Sequence, residues 1–201
     1  MLKALDGILV VDLAGSVATT YCSKLFVDYG ATVVNLEPEV GFPTRQLAPF
    51  IDEAFIESAM HGYLNANKKS VRRDLISDDA IAALLSEANL VLGDGTDIGL
   101  FDSRLRMDIS WYDDCGPYAD FIGSDAQCFA LNGMLRNIGH ADGPPLIPTG
   151  YQAQIVGGMT AFVGAMGQVL AQELNADGAG LHMRTSIFEA MMCFTEVGAI
   201  T

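Results

Sequence analysis

The chain concentrates its basic side chains at Lys68, Lys69, Arg72 and Arg73, which are four of its 11 lysines and arginines. In a protein with a formal net charge of −14, such a concentration would offset the repulsion of a phosphorylated ligand. The alternative is a solvated strand edge whose cations pair with acids such as Asp74. Composition alone leaves both interpretations open.

The turn after the first apolar segment is a candidate dinucleotide site. The segment ends at Ala14, Gly15 opens the turn, and Glu37 follows about 20 residues later, where an acid would bind ribose hydroxyls. The turn sequence GSVATT at 15–20, however, lacks the second and third glycines that admit a pyrophosphate. The sequence therefore argues against a nicotinamide or flavin site.

Other catalytic and metal-binding patterns are missing from the sequence. It has no G-x-S-x-G elbow, and GDGTD at 93–97 lacks the trailing glutamate of a calcium loop. His61, His140 and His182 stand far apart and have no second ligand four residues on. We therefore predict no metal site.

Cysteine usage bears on the compartment of the protein. The cysteines show no C-x-x-C spacing and lie in or beside apolar segments; they are Cys22, Cys115, Cys128 and Cys193. We expect buried, reduced thiols, which are typical of the cytoplasm. Asp6 and Asp12 interrupt the apolar run near the N-terminus, so a signal peptide is not expected there.

Charge and hydropathy exclude two classes of partner. Eleven basic against 25 acidic residues disfavour binding to nucleic acid or to an anionic membrane. The most apolar stretch, 155–170, is shorter than the ~20 residues that span a bilayer. We expect it to form a buried helix.

Short apolar runs predict the elements of a mostly parallel α/β fold. Strands are expected at 8–14, 32–37, 89–95 and 105–112, and helices at 19–29, 77–88, 125–135 and 153–174. Residues 39–62 are expected to be irregular and to wrap the core. Because the first elements run strand–helix–strand, they fit a right-handed parallel unit, with helices flanking the sheet.

The order of motifs resembles that of the class III CoA-transferase family. LDGILVVDLAG at 5–15 is similar to the family's first strand, and VDYGATVVNLEP at 27–38 to its L-G-A-D-V-I-K-V-E-P segment. LNANKKSVRRDL at 64–75, CGPYAD with GSD within 115–125, and GAGLHMRTSIFEA at 178–190 follow in the family's order. The resemblance extends over nearly the whole chain.

This resemblance implies a Rossmann-like large domain that binds coenzyme A or an acyl-CoA, in a cytoplasmic enzyme that forms an interlocked dimer. In such transferases an aspartate attacks the acyl-CoA thioester and carries the acyl group as a mixed anhydride. Relatives with racemase activity use an aspartate and a histidine to exchange the α-proton. For CoA binding we predict Val17, Asn67, Lys68 and Lys69, with the lysines facing the 3′-phosphate or the pyrophosphate.

The sequence departs from the family at the nucleophile. The aspartate is expected after a D-G-P-P segment and four residues before a helix glycine; here Asp142 opens that segment and Gln154 precedes Gly158. No aspartate occurs between Asp142 and Asp177, and we expect no other acid near enough to substitute. The histidine of the racemase motif is replaced by Ser124. Because an amide cannot form the anhydride, no catalytic residue is predicted, and Gln154 marks the nucleophile position.

Chains of the family are longer than this one. Residues 1–201 are expected to form the N-terminal portion of the large domain, without the small domain and the C-terminal return. The leading hypothesis is a non-catalytic subunit or half of a transferase, in a homo- or hetero-oligomer with a chain that supplies the C-terminal half. The alternatives are a transferase or racemase completed by another chain, and a CoA sensor or scaffold without chemistry.

Overall fold

A computed structural model of the chain describes residues 3–51, 54, 57–95, 105–140, 142–174 and 181–193. Six parallel strands form one sheet in the order β3-β2-β1-β4-β5-β6. They are β1 (Leu9–Asp12), β2 (Thr32–Glu37), β3 (Lys69–Arg72), β4 (Leu90–Gly93), β5 (Leu105–Ser110) and β6 (Leu181–Ser186). The strand order reverses between β1 and β4, which makes this pair the switch point of the sheet.

The described residues contain six α-helices. They are α1 (Val17–Asp28), α2 (Ala59–Asn65), α3 (Asp78–Glu87), α4 (Asp125–Leu131), α5 (Gln152–Leu174) and α6 (Ile187–Met192). Serine side chains cap the starts of all but α5; they are Ser16, Ser58, Ser77, Ser124 and Ser186. Each serine oxygen accepts a backbone N–H that the first helical turn would otherwise leave unpaired.

Helices cover both faces of the sheet and create two apolar cores. On one face α1 and α5 pack over Val10, Val33, Leu90, Leu92, Met107 and Ile109. On the other face α3 packs over Val11, Leu36 and Val91. Side chains of one strand alternate between the two cores, as expected of a sheet buried on both faces. The predicted α/β class with a parallel sheet is confirmed.

Most predicted elements are present, with ends shifted by a few residues. The helix expected over 19–29 begins at Val17, because the Ser16 side chain caps it two residues earlier. Strand β3 is absent from the predicted strands because its residues KSVR are polar and largely exposed. The span 39–62 includes a 3₁₀ turn at Pro43–Gln46 and the start of α2. Motif residues 96–97 and 178–180 lie outside the described residues.

The expectation of four buried thiols is half wrong. Cys22 and Cys128 are fully buried in the larger core, whereas Cys115 and Cys193 are exposed. Cys115 lies in the turn that follows β5, and Cys193 is the residue that ends α6. Apolar neighbours in the sequence therefore do not bury these two thiols, because Cys115 follows the end of strand β5 and Cys193 follows the end of helix α6.

Helix α5 packs closely against two other helices through adjacent glycines. A Cβ atom at Gly158 would stand 2.5 Å from the carbonyl oxygen of Ala18 in α1. A Cβ atom at Gly157 would stand 2.7 Å from the Ile187 side chain in α6. Only residues without a Cβ let the α5 backbone come this close.

Helix α5 (Gln152–Leu174) begins one residue before the helix predicted over 153–174 and extends beyond the most apolar stretch, 155–170. Contrary to the expectation that the stretch is too short, the segment Gln152–Gln172 is long and apolar enough to cross a membrane. In the structure 44% of its most apolar window is buried against the rest of the protein. Length and composition do not distinguish a membrane span from a core helix, and the packing on α1 and α6 favours the core helix.

We expect Gly158→Ala to destabilise the fold and Gly167→Ala to stabilise it. The added methyl at 158 meets the α1 backbone, and overpacking of this kind costs about 1–3 kcal/mol. Gly167, on the same helix, has open space at its Cβ position, so alanine there should add about 0.5–1 kcal/mol through helix propensity. Urea unfolding followed by circular dichroism measures both, and equal effects would contradict the close helix contact.

Candidate functional site

A cleft of about 280 Å³ opens at the carboxyl ends of the central and neighbouring strands. Its lining residues are Ser16, Asp94, Ile109, Ser110, Trp111, Tyr112, Ala119, Phe121, Gln154 and Ile187. They come from the end of β5, from the segments that follow β1, β4, β5 and β6, and from the first turn of α5. Open parallel sheets bind ligands at this position, outside the carboxyl ends of the strands and at the switch point. The cleft is therefore the candidate site.

Gln154 lies in the wall of the cleft and is bound to a carboxylate. Its side-chain Nε2 donates to Asp125 Oδ2 at 3.0 Å. The other oxygen of Asp125 accepts from the backbone N–H groups of Ala153 and Gln154, at 2.9 and 3.3 Å. Asp125 thus caps the start of α5, the one helix without a serine cap, and a carboxylate is favourable at this positive end of the helix.

The expectation that no other acid lies near enough to substitute rests on the interval 142–177, which contains no aspartate between Asp142 and Asp177. The fold brings Asp125, which lies in α4 and outside that interval, into hydrogen-bond contact with Gln154. Asp94, at the end of β4, also lines the cleft. The sequence did contain a signal for Asp125, since it closes the GSD motif at 123–125.

Val17 stands at the start of α1, directly beside the cleft. Its side chain is buried in the protein, and its backbone N–H belongs to the first turn of α1. The Ser16 hydroxyl, which lines the cleft, accepts from the Thr19 amide at 3.1 Å. The first turn of α1 thereby presents the positive end of a 12-residue helix to the cleft.

Lys68 takes part in a buried network instead of facing solvent. Its ammonium donates to the Thr20 carbonyl oxygen at 2.8 Å, to Ser23 Oγ at 2.7 Å and to Asn65 Oδ1 at 3.1 Å. Ser23 in turn donates to Asp12 Oδ2 at 2.9 Å. Burial lowers the pKa of Lys68 to about 8, against the opposing effect of Asp12. All three ammonium donors are used, which leaves none for the predicted phosphate.

Asn67 and Lys69 are exposed, but they lie at the other edge of the sheet. Both line a cavity of about 390 Å³ at the amino ends of β2 and β3, together with Lys3 and Asp28. Asn67 adopts a left-handed conformation with φ of 65°, which turns the chain into β3. The structure therefore does not bring the predicted CoA-binding residues together, since Gln154 and Val17 lie at the carboxyl edge.

Both carboxylate oxygens of Glu37 accept hydrogen bonds from groups within the protein. Its carboxylate accepts from Arg45 Nε and Nη2, both at 2.7 Å, from the Phe42 amide at 2.9 Å, and from Ser70 Oγ. Burial raises the pKa of Glu37, but these hydrogen bonds outweigh it and bring the pKa down to about 2. A carboxylate so occupied cannot bind ribose hydroxyls, which agrees with the absence of a dinucleotide turn.

Comparison of the sequence with known proteins shows which family the chain belongs to. The sequence profile of CoA-transferase family III matches residues 5–95 and 105–200. The chain belongs to this family. Among solved structures, a CaiB/BaiF family protein from Brucella suis superimposes with a TM-score of 0.85 at 24% identity, covering 98% of this chain and 56% of that protein. The fold is therefore that of the CoA-transferase III family, with the cleft at its switch point.

Two curated relatives show how much of the family's length is present. The chain is 25% identical to acetyl-CoA:oxalate CoA-transferase of Acetobacter aceti, over 95% of this chain and 52% of that protein. It is 31% identical to succinate–glutarate CoA-transferase of Agrobacterium fabrum, over 71% of this chain and 41% of that protein. The chain thus spans about half the length of the CoA-transferases that it matches.

We expect Glu37→Gln to lower the free energy of unfolding by about 2–3 kcal/mol, because it removes charge-assisted hydrogen bonds from a buried carboxylate. The loss stays within this range because the partner, Arg45, remains partly exposed to water. The effect should depend on pH. Since the folded-state pKa near 2 lies below the usual 4.5, the contribution of Glu37 is present above pH 4.5 and is lost as the pH falls toward 2.

Asp74→Asn is the matched control for this prediction, because Asp74 pairs with Arg72 on the exposed surface. Exposed pairs of this kind are screened by solvent and contribute little to stability. Urea denaturation at several pH values measures both variants. A constant difference between Glu37→Gln and the parent from pH 6 down to about pH 2 would contradict the assigned hydrogen bonds.

We expect Lys68→Ala and Lys69→Ala to differ sharply in stability. Loss of Lys68 leaves buried Asp12 without a nearby cation, which should cost about 3–5 kcal/mol. Loss of exposed Lys69 should change stability by at most about 0.5 kcal/mol. Thermal and urea unfolding of the two variants test this, and equal stabilities would count against the buried network.

Lys69→Ala is consequently the variant in which CoA affinity can be measured without a folding defect. If Lys69 contacts a CoA phosphate as the sequence predicts, the affinity should fall by about 1–3 kcal/mol, the range for hydrogen bonds to charged groups. Calorimetric titration with CoA and with dephospho-CoA separates a 3′-phosphate contact from a pyrophosphate contact. An unchanged affinity for both ligands would remove Lys69 from the binding site.

Proposed function

We propose that this chain binds coenzyme A or an acyl-CoA in the cleft at the carboxyl edge of its sheet and does not form the acyl anhydride itself. Family membership supports CoA thioesters as ligands. The position of the cleft at the switch point, beside the first turn of α1, supports this place of binding. The chain would act as a non-catalytic subunit or half of a transferase.

The observation that carries this proposal is the place of Gln154. Its side chain lines the cleft at the start of α5, where the family's nucleophile is expected, and its amide is held by Asp125. An amide carries no charge and is too weak a nucleophile to open a thioester. It can still donate and accept hydrogen bonds, so Gln154 can position an acyl-CoA without reacting with it.

A second candidate is a transferase in which Asp125 is the nucleophile and another chain completes the site. The contact between Asp125 and Gln154 favours this alternative, since it places a carboxylate directly behind the cleft wall. Three hydrogen bonds to the carboxylate oppose it, because they stabilise the charge and hold both oxygens on α5. We therefore rank it below the non-catalytic role.

We also propose that the chain pairs with a second chain that supplies the rest of the family's fold, in the cytoplasm. The chain spans about half the length of its relatives. Helix α5 presents a row of exposed apolar side chains on its outer side; they are Met159, Val163, Leu170 and Leu174. A continuous apolar row of this kind is usually covered by another protein surface.

We expect no acyl-hydroxamate when the purified chain is incubated with acyl-CoA and then with hydroxylamine, because no anhydride forms on it. Mass spectrometry of the intact chain checks for a covalent acyl group. Gln154→Asp should trap acyl groups only when the completing chain is present, since attack needs the thioester within about 3–3.5 Å. The free chain should nonetheless bind CoA in a calorimetric titration.

Asp125→Asn distinguishes the two candidate functions. An acyl group trapped on the parent chain and lost in Asp125→Asn would establish the second candidate and overturn the first. Acylation that persists in Asp125→Asn would place the nucleophile elsewhere and contradict both. Because asparagine retains one acceptor oxygen for the first turn of α5, the variant should stay folded.

A further inference from the structure

The cavity of about 390 Å³ at the amino edge of the sheet is lined by two lysines from distant parts of the chain. Lys3 precedes β1, and Lys69 is the first residue of β3. Both residues are exposed, and neither side chain has a hydrogen bond or an ion pair within the described part of the chain. The volume falls in the range of roughly 300–1,000 Å³ that sites for small molecules occupy.

Unpaired cations are the exception in this acidic protein, in which 25 acids stand against 11 bases. Most basic side chains of the described residues bind groups of the protein; they are Lys24, Arg45, Lys68, Arg72, Arg106 and Arg184. The others with a described position are Lys3, Lys69, Arg73 and Arg136. Two of these unpaired cations therefore meet at one cavity.

The negative groups beside these two lysines are already occupied. Both oxygens of Asp28, the acid of this cavity, accept from the Lys24 ammonium, at 3.1 and 2.9 Å. The last carbonyl groups of α1 are capped by the backbone that follows, through the amides of Tyr29, Gly30 and Ala31 at 3.1, 3.0 and 3.0 Å. The helix end therefore does not need a lysine, and the two ammonium groups keep their charge for a ligand.

Lys3 is held beside the cavity by the turn that follows α1. Its aliphatic stem lies against Gly30, where any Cβ atom would collide with it. Gly30 has a φ of 110°, a conformation that glycine adopts readily. The backbone N–H of Leu5 donates to the Tyr29 carbonyl oxygen at 3.1 Å, which ties the N-terminal segment to the end of α1. The lysine therefore stays close to the start of β2.

Two neutral side chains add further hydrogen-bond donors. Asn67 and Thr32 line the cavity, and neither side chain has a hydrogen-bond partner among the residues that the structure describes. The cavity thus offers two ammonium groups, an amide and a hydroxyl. A phosphate monoester carries a charge near −2 at neutral pH and accepts hydrogen bonds through several oxygens. Lysine binds such groups as a compact positive charge.

We propose that this cavity is a second binding site, for a small phosphate monoester, at the opposite edge of the sheet from the cleft. Strand β2 has six residues of ~3.3 Å each, so roughly 20 Å separate the two edges. The site goes beyond the proposed function and does not depend on it, because it shares no lining residue with the cleft. CoA also carries a phosphate monoester at its 3′ position, so the experiment separates a free ester from CoA.

Calorimetric titration of the full chain with glycerol 3-phosphate measures the binding, and glycerol is the unphosphorylated control. We expect the phosphate ester to bind and glycerol not to bind. The double variant Lys3→Ala/Lys69→Ala should lower the affinity at least about tenfold, which corresponds to about 1.4 kcal/mol. Asn67→Gly should also lower it, because glycine keeps the left-handed backbone at this position and removes only the amide.

The double variant Arg73→Ala/Arg136→Ala is the matched control. It removes the same charge from two exposed, unpaired side chains that lie outside the lining of the cavity. Its affinity for glycerol 3-phosphate should stay within about twofold of the parent. Near-ultraviolet circular dichroism confirms that each variant is folded. An equal loss in the two double variants would overturn the proposal, since it would reflect net charge alone.

Competition with CoA tests whether the two sites are separate. Saturation with CoA should leave the affinity for glycerol 3-phosphate unchanged. Competition by CoA but not by dephospho-CoA would overturn the separate site and assign the cavity to the 3′-phosphate of CoA. Failure of glycerol 3-phosphate and of inorganic phosphate to bind at millimolar concentration would overturn the proposal as well. The proposed function would then stand, because it fails only if CoA itself does not bind.

Discussion

Asp12 is fully buried at the carboxyl end of central strand β1, and the elements around the site are arranged about its charge. Its Oδ1 accepts from the amides of Ala14 and Gly15, both at 3.2 Å, which shapes the turn between β1 and α1. Its Oδ2 accepts a hydrogen bond from the Ser23 hydroxyl in α1. The Ser23 oxygen in turn accepts a hydrogen bond from the Lys68 ammonium. A buried carboxylate is stable only with such partners, because desolvation otherwise raises its pKa, as it does here in part.

This network explains how distant segments come to form one site. Through Lys68, the segment between α2 and β3 is tied to α1, and through Asp12 both are tied to the central strand. Gly15 completes the turn at φ of 65°, where the Phe42 ring lies so close that any side chain would collide with it. Helix α1 consequently begins at the cleft, and α5 is held against it at Gly158. The position of Gln154 thus depends on a buried charge elsewhere in the fold.

The fold could be predicted from short-range patterns, whereas the contacts of the site could not. Strand β2 and helix α3 follow from β-branched runs and from a serine cap that precedes two acids, all of which are local. The sequence groups Lys68 with Lys69 and Arg72 in one basic cluster. Lys69 and Arg72 are exposed in the structure, whereas the Lys68 ammonium binds Ser23 inside the protein. Asp125 lies outside the interval 142–177 that the sequence argument considered, and only the packing of α4 on α5 brings it to Gln154. Burial and proximity of polar groups are properties of the assembled fold, so periodicity alone does not reveal them.

The place of β3 in the strand order gives the basic cluster a further role. Among the described strands β3 ends the sheet, so one side of its backbone offers unpaired N–H and C=O groups. It has four residues, and Lys69 and Arg72 occupy its two ends. Short edge strands that carry cations resist edge-to-edge pairing, because two copies brought together would juxtapose like charges. The charges at the two ends of β3 thereby disfavour pairing of two copies of the chain at this edge of the sheet.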